Sequence, residues 1–160
     1  MKIVYTIAGF YRQAGMERVL ANKARYFVQQ GHEVFIVTTD QRCRERAFQL
    51  PESVKLYDLG INYEENNESS FMNKMIHYPG KQIKHFLLLR SLLNKIKADV
   101  VVSMFCNDAS FVPRINDGSK KILEIHFSRY KRLQYGRTGL WAVADRLRSV
   151  YDLSVVTRFD

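Results

Sequence analysis

With 160 residues, 46% of them hydrophobic and 26% charged, the chain has the size and make-up of one globular domain with a sizeable core. The richest apolar stretch, Phe86–Leu93, is broken by Arg90 and is too short to span a membrane, and the N-terminus lacks the cleavage pattern of a signal peptide. The formal net charge of +9 points to an anionic partner (nucleic acid, a membrane surface or a phosphorylated ligand) or to a merely basic solvated surface.

Ile3–Ile7 is a short apolar run predicted to be a strand. The stretch "AGFYRQAGMERVL", Ala8–Leu20, carries Gly9 and Gly15 from that strand into a helix over Met16–Gln30. Within the helix Met16, Val19, Leu20, Ala24, Phe27 and Val28 recur at three and four, forming one apolar stripe. Gly31 stands where a C-terminal glycine belongs, and Val34–Thr38 follows as the second strand. Cys43 and Cys106, the two cysteines, lack metal-ligand spacing, which fits free thiols in a reducing, cytoplasmic setting. Val54–Leu59 alternates in polarity and reads as an edge strand, and the acidic Asn62–Ser70 as a long mobile surface loop.

A helix is expected over Ile83–Lys97, then a strand at Val100–Phe105 and a shorter helix at Asp108–Ile115. Asp117-Gly118 is a turn before a fifth strand, Ile122–His126. Thr138–Tyr151 has helical spacing with Trp141 in its apolar stripe, and Leu153–Thr157 reads as a sixth strand. Runs rich in Val and Ile with little alternation suit strands buried on both faces. Strands alternating with helices predict an α/β fold: a Rossmann-like, doubly wound parallel sheet of about six strands, with residues 1–160 as one domain. A sixth strand at the end of the sequence, with no helix to cover it, predicts a piece of a longer protein.

The Ala8–Leu20 loop matches neither G-x-x-x-x-G-K-[ST] nor G-x-G-x-x-G, which disfavours an ATPase P-loop and an ordinary NAD fingerprint. Its geometry still offers free amides and a positive helix end at the carboxyl edge of the sheet. Glu17 suits the helix dipole but repels an anion if it points forward. Gly15 as a plain N-cap, with Glu17 stabilising the first turn, explains the same residues. His126 closes "KILEIHFS" at the edge where open α/β sheets bind ligands. There it can bond sugar hydroxyls, or be a half-buried histidine held by backbone. Asn107 and Asp108, in "MFCNDAS", can bond a polyol or cap a helix.

"AGMERVLANKARYFVQQGHEVFIVTTD", together with "ADVVVSMF", "KKILEIHFS" and "YDLSVVTRFD" at the later strand positions, resembles the N-terminal domain of glycosyltransferase family 4. The resemblance implies one half of a GT-B fold, with the nucleotide-sugar domain absent from this sequence, and the acceptor-side part of a retaining enzyme. The donor would be a nucleotide-sugar, the acceptor a glycan or lipid-linked saccharide, with no essential metal or cofactor. It implies that Gly15, and Ala14 where the family often has its first glycine, approach the donor, and that His126 contacts the transferred sugar. Asn107, Asp108, Ser128 and Arg129 fall on the matching cleft-facing loops as acceptor contacts. Family members often act on membrane-bound acceptors, so the basic Lys81–Lys97 helix and the "YKRLQY" loop are candidates for resting on anionic lipid at the inner face of the membrane. A non-enzymatic Rossmann-like module for a nucleotide or protein partner is the rival reading. A basic nucleic-acid-binding domain rests on charge alone, and no specific nucleic acid is expected.

Overall fold

β1 (Lys2–Ile7) lies at the centre of the sheet, paired in parallel with β2 (Glu33–Thr38) on one side and β4 (Val100–Ser103) on the other. β3 (Lys55–Asp58) pairs with β2 and β5 (Lys120–Leu123) with β4, so the order is β3-β2-β1-β4-β5 and all pairs are parallel. This is a computed structural model describing residues 1–66, 71–126, 150–151 and 154–159, with the side chains of 66 and 71–75 left aside. Among the described residues no helix is long and apolar enough to cross a membrane.

Alternation along β1 divides the core into two layers. Ile3, Tyr5 and Ile7 pack with Leu20, Ala21 and Ala24 of α1 (Gly15–Gln29). Val4 faces the other way, into a layer formed with Leu89, Leu93 and Ile96 of α2 (Phe71–Ile96). Side chains on a strand point alternately to opposite faces, so a central strand covered on both sides reads as one continuous apolar run. Ala21 and Ala24 are small enough to let α1 approach the sheet closely.

The end of α1 follows directly from Gly31, whose φ is +78°. The Gly31 amide donates to the Val28 carbonyl at 3.0 Å and the His32 amide to the Phe27 carbonyl at 2.9 Å. These are the two bonds of a Schellman closure, and the accompanying side-chain contact is present as Phe27 against His32, with ring centroids 5.8 Å apart.

Four expectations change. The sheet has five strands among the described residues, because residues 154–156 form a helical turn in place of the predicted strand. Ser154 Oγ donates to the Tyr151 carbonyl at 2.8 Å and Thr157 Oγ1 to the Ser154 carbonyl at 3.1 Å, hydroxyl bonds that hold a helical turn despite the Val155-Val156 pair. β5 begins and ends earlier than the apolar run, since Lys121 is buried within it, its ammonium bonded to Asp117 and to Ser119 Oγ. α2 begins at Phe71, well before the expected start at Ile83, and runs through Pro79. Its N-terminal half is held by Tyr78 against Tyr63 and by Lys81 Nζ on the Asn62 carbonyl. Finally, Asp108–Ile115 is a set of turns ending in a short 3-10 turn, Val112–Arg114. The alternating run at β3 is an edge strand as predicted. The Trp141 helix lies outside the described residues, apart from positions 150–151.

Between α2 and the turn after β4 is a buried polar group that sets an acid limit on the fold. His85, 2% exposed, has its Nδ1 3.2 Å from Tyr63 Oη and its ring edge-on to Phe111. Burial lowers its pKa below the ordinary 6.5, more than the charge of Asp108 raises it. The unfolded chain therefore takes up a proton that the folded one resists. Stability is complete above the ordinary histidine value and falls as pH drops below it. Urea midpoints measured from pH 7 to 5 should decline, and His85→Gln should flatten that decline while lowering stability at pH 7.

Candidate functional site

In a doubly wound sheet the loops after the strands collect at the carboxyl edge, and the reversal of strand order between β1 and β4 opens a crevice there. A cavity of about 600 Å³ lies at this edge, lined by residues of the loop after β1, the first turn of α1, Glu64 and His126. Its size is that of small-molecule sites.

The loop after β1 is shaped by packing from the neighbouring loop. The amides of Thr39 and Asp40 both donate to the Ala8 carbonyl, at 3.1 and 2.8 Å. Phe10 is fully buried, and its amide donates to Gln41 Oε1 at 2.8 Å. The Tyr11 ring then folds back over Gly9, where a Cβ would run into it. Gly9 is thus a residue of close approach.

Glu64 ties the outer wall together. Its carboxylate accepts from Tyr11 Oη, from Arg12 at 2.5 Å and from Arg44 at 3.1 Å. The Arg44 guanidinium also stacks over the Tyr11 ring, 3.3 Å from its centroid. Burial raises the Glu64 pKa, but the bonds from Tyr11 and Arg44 and the charges of Arg12 and Arg44 outweigh it and hold the carboxyl below its ordinary range. Tyr11 moves the other way, raised by burial and then by its bond to Glu64. Glu64 belongs to the 3-10 turn Tyr63–Asn66, inside the stretch expected to be a mobile loop. Its amide is held by Asp40 Oδ1 at 2.8 Å, and residues 67–70 lie outside the described ones.

At the floor, helix α1 begins with Ala14 as N-cap and Gly15 as its first helical residue. The plain reading of Gly15 as N-cap therefore shifts by one position. Ala14 has φ −114° and ψ 172°, ordinary extended backbone, so its methyl group costs nothing there. The first backbone bond of the helix is from the Arg18 amide to the Ala14 carbonyl, at 3.1 Å. The amides of Gly15, Met16 and Glu17 precede it and have no acceptor among the described residues, as the first turn of a helix requires. A Cβ on Gly15 would meet nothing within 4 Å, so a ligand has open access to this backbone.

His126 lies three residues beyond the end of β5, on the loop and not in the strand. Its Nε2 is 3.1 Å from Glu124 Oε2, while Glu124 Oε1 is paired with Lys23 of α1. A carboxylate oxygen accepts, so Nε2 donates to it, and in the neutral ring Nδ1 is left as an acceptor for a ligand.

The cavity thus brings Ala14, Gly15 and His126 together. Asp108 is turned away from it: fully buried, it accepts from Thr6 Oγ1 and, at 3.1 Å, from Ser103 Oγ, pinning the last turns of β1 and β4. Asn107 is also outside the lining; its carbonyl accepts from Gln82 Nε2 at 3.1 Å and its Oδ1 from Tyr78 Oη at 3.5 Å. Ser128 and Arg129 lie outside the described residues. Cys43 and Cys106 are free, and burial pushes the Cys106 thiol pKa strongly up, which keeps it protonated. Among the described residues no group of three or more His, Cys, Asp or Glu is placed to hold a metal ion. Tyr11, Arg12 and Glu64 are the site residues that sequence reasoning missed. The acidic character of Asn62–Ser70 beside a loop with Arg12 was the available signal.

Glu64→Ala should release Tyr11 and Arg12 from the cavity wall. Hydrogen exchange at residues 8–14 should rise, while global stability falls by about 1 kcal/mol or less, because the ion pairs are partly exposed. Comparison with known family models and with curated proteins finds no match for this chain.

Proposed function

We propose that the chain forms the acceptor-side half of the cleft of a retaining glycosyltransferase. Such an enzyme moves a sugar from a nucleotide-sugar to a glycan or lipid-linked acceptor. The observation that carries this reading is the meeting of the Gly15 turn and His126 in one cavity, at the switch point of a parallel sheet. The two features follow different strands, the central β1 and the edge strand β5, and the resemblance gives both of them to the sugar donor. In this reading the open backbone at Gly15 approaches the donor, and His126 Nδ1 accepts a hydroxyl of the transferred sugar. Asn107, outside the lining of the cavity, remains a contact for the acceptor in this reading. Asp108 serves as a structural pin, since both of its oxygens are already engaged. Stabilising the charge on the leaving phosphate falls mainly to cations of a second domain.

The test is glycosyl transfer by the protein encoded by the whole reading frame, using labelled nucleotide-sugars and membrane extracts as acceptor source. His126→Ala should lower turnover about tenfold, the worth of one hydrogen bond, with an unchanged melting curve. Undiminished turnover removes His126 from the site, and absence of transfer from every donor removes the enzyme reading.

The exposed side of α2 supports the same reading. Ile76, Ile83 and Leu87, spaced seven and four apart, are exposed along one helix face and flanked by the exposed Lys84 and Arg90. We propose that this face rests on anionic lipid, bringing the cleft to a membrane-bound acceptor. Vesicles containing phosphatidylglycerol should sediment with the chain at low salt and release it at high salt. A Lys84→Glu, Arg90→Glu double substitution should abolish the association, and binding that ignores both charge reversal and salt would overturn it.

A further inference from the structure

Glu17, in the first turn of α1, is the one cavity residue whose chemistry is unaccounted for. It is 7% exposed, yet it lines the cavity and its carboxylate has no hydrogen-bond or ion-pair partner among the described residues. The cation that feels its charge, Arg12, is itself bonded to Glu64. Nor does Glu17 fold back onto the N-cap amide, the usual use of a glutamate at the third helical position. Its oxygens are not among the fully buried unpartnered atoms, so they open to the cavity as acceptors that no protein donor has claimed.

Beside it, the Gly15, Met16 and Glu17 amides form a set of unused donors. The cavity thus offers acceptor and donors side by side, with a full negative charge set against the half positive charge of a helix end. A diphosphate placed wholly here would face that carboxylate at close range. A ring with neighbouring hydroxyls, carrying at most one phosphate oxygen to the amides, satisfies both groups.

We infer that Glu17 is a specificity-determining residue that accepts hydroxyl protons of a sugar ring, making the cavity at the start of α1 a sugar subsite and not a diphosphate cradle. This rests on the glycosyltransferase reading only for its expectation of a sugar. The shared chemistry is a polyol ring, which can belong to the donor or to the acceptor. A sugar 1-phosphate and an uncharged glycoside separate the two sources.

The experiment is an amide-resolved NMR titration of the 160-residue chain. The probes are the 1-phosphates of glucose, galactose, mannose and N-acetylglucosamine, the matching methyl glycosides, and inorganic phosphate. At least one sugar probe should shift the Gly15, Met16 and Glu17 amides. Glu17→Gln should weaken that probe about tenfold, the loss of a hydrogen bond to a charged acceptor, and should tighten inorganic phosphate severalfold by removing the repelling charge. Glu17→Asp, which keeps the charge and shortens the reach, should weaken the sugar and leave phosphate as in the wild type. Spectral dispersion reports folding of each variant in the same experiment. A 1-phosphate that binds where its methyl glycoside does not marks the donor's sugar; comparable binding of both marks the acceptor's. The inference is overturned if no sugar probe shifts the three amides, if Glu17→Gln leaves the sugar affinity within twofold, or if inorganic phosphate binds the wild type as tightly as the sugar phosphates. Glu17-dependent sugar binding without any transfer by the whole protein would retain this inference and discard the enzyme reading. Transfer that ignores Glu17 would do the reverse.

Discussion

Pairing of β1 on both sides, with β2 and with β4, is the constraint from which the rest of the molecule follows. A parallel pair needs a crossover, and right-handed crossovers in opposite directions from β1 put α1 on one face and α2 on the other. Every residue of β1 from Ile3 to Ile7 is then buried. The chain leaving β1 is equally determined, because it must turn over the carboxyl edge between the loops that follow β2 and β4. Thr39 and Asp40 grip it from one side, while Asp108 grips the end of the strand from the other. The cavity is the space these constraints leave open.

Legibility in the sequence follows the same division. Strands buried on both faces announce themselves through Val and Ile, and β1, β2 and β4 lie within a residue or two of where those residues place them. Gly31 marks the helix end through a backbone geometry that glycine favours. What misled the reading was local chemistry overridden by partners. Lys121 looks too polar for a strand interior until Asp117 and Ser119 are seen to hold its ammonium. Val155 and Val156 look like a strand until the Ser154 and Thr157 hydroxyls are seen closing helical turns. The helix expected from Ile83 starts at Phe71, and Tyr78 and Lys81 in its added length are fixed by the Tyr63 turn.

The candidate site was half legible for a related reason. Gly15 and His126 belong to strand ends, and strand ends can be located from the apolar runs before them. The Glu64 cluster joins three loops distant in sequence, around residues 11, 44 and 64, and nothing local to any of them indicates the other two. Asp108 shows the converse error. An Asn-Asp pair at a sheet edge suggests ligand contact, but the hydroxyls of Thr6 and Ser103 sit at the ends of two adjacent strands and claim the carboxylate first. A carboxylate within reach of fixed internal donors is a fastener. Glu17, without such donors, is the contrasting case.

The Lys23–Glu124–His126 chain has a consequence for how the site comes into being. β1 reaches β2 at Lys2 with Glu33, only 31 positions along, so the Gly15 turn is enclosed by a short loop. β1 reaches β4 at Ile3 with Val100, 97 positions along, and β5 adds only after that. Closing the longer loop costs roughly 1 kcal/mol more in chain entropy. The two walls of the cavity therefore differ in kind: one is assembled from neighbours in sequence, the other is delivered across the sheet on an edge strand. Lys23, standing on the first wall, reaches the second through Glu124 and so orients the imidazole. The histidine is positioned from the far wall, by a residue of the helix it faces.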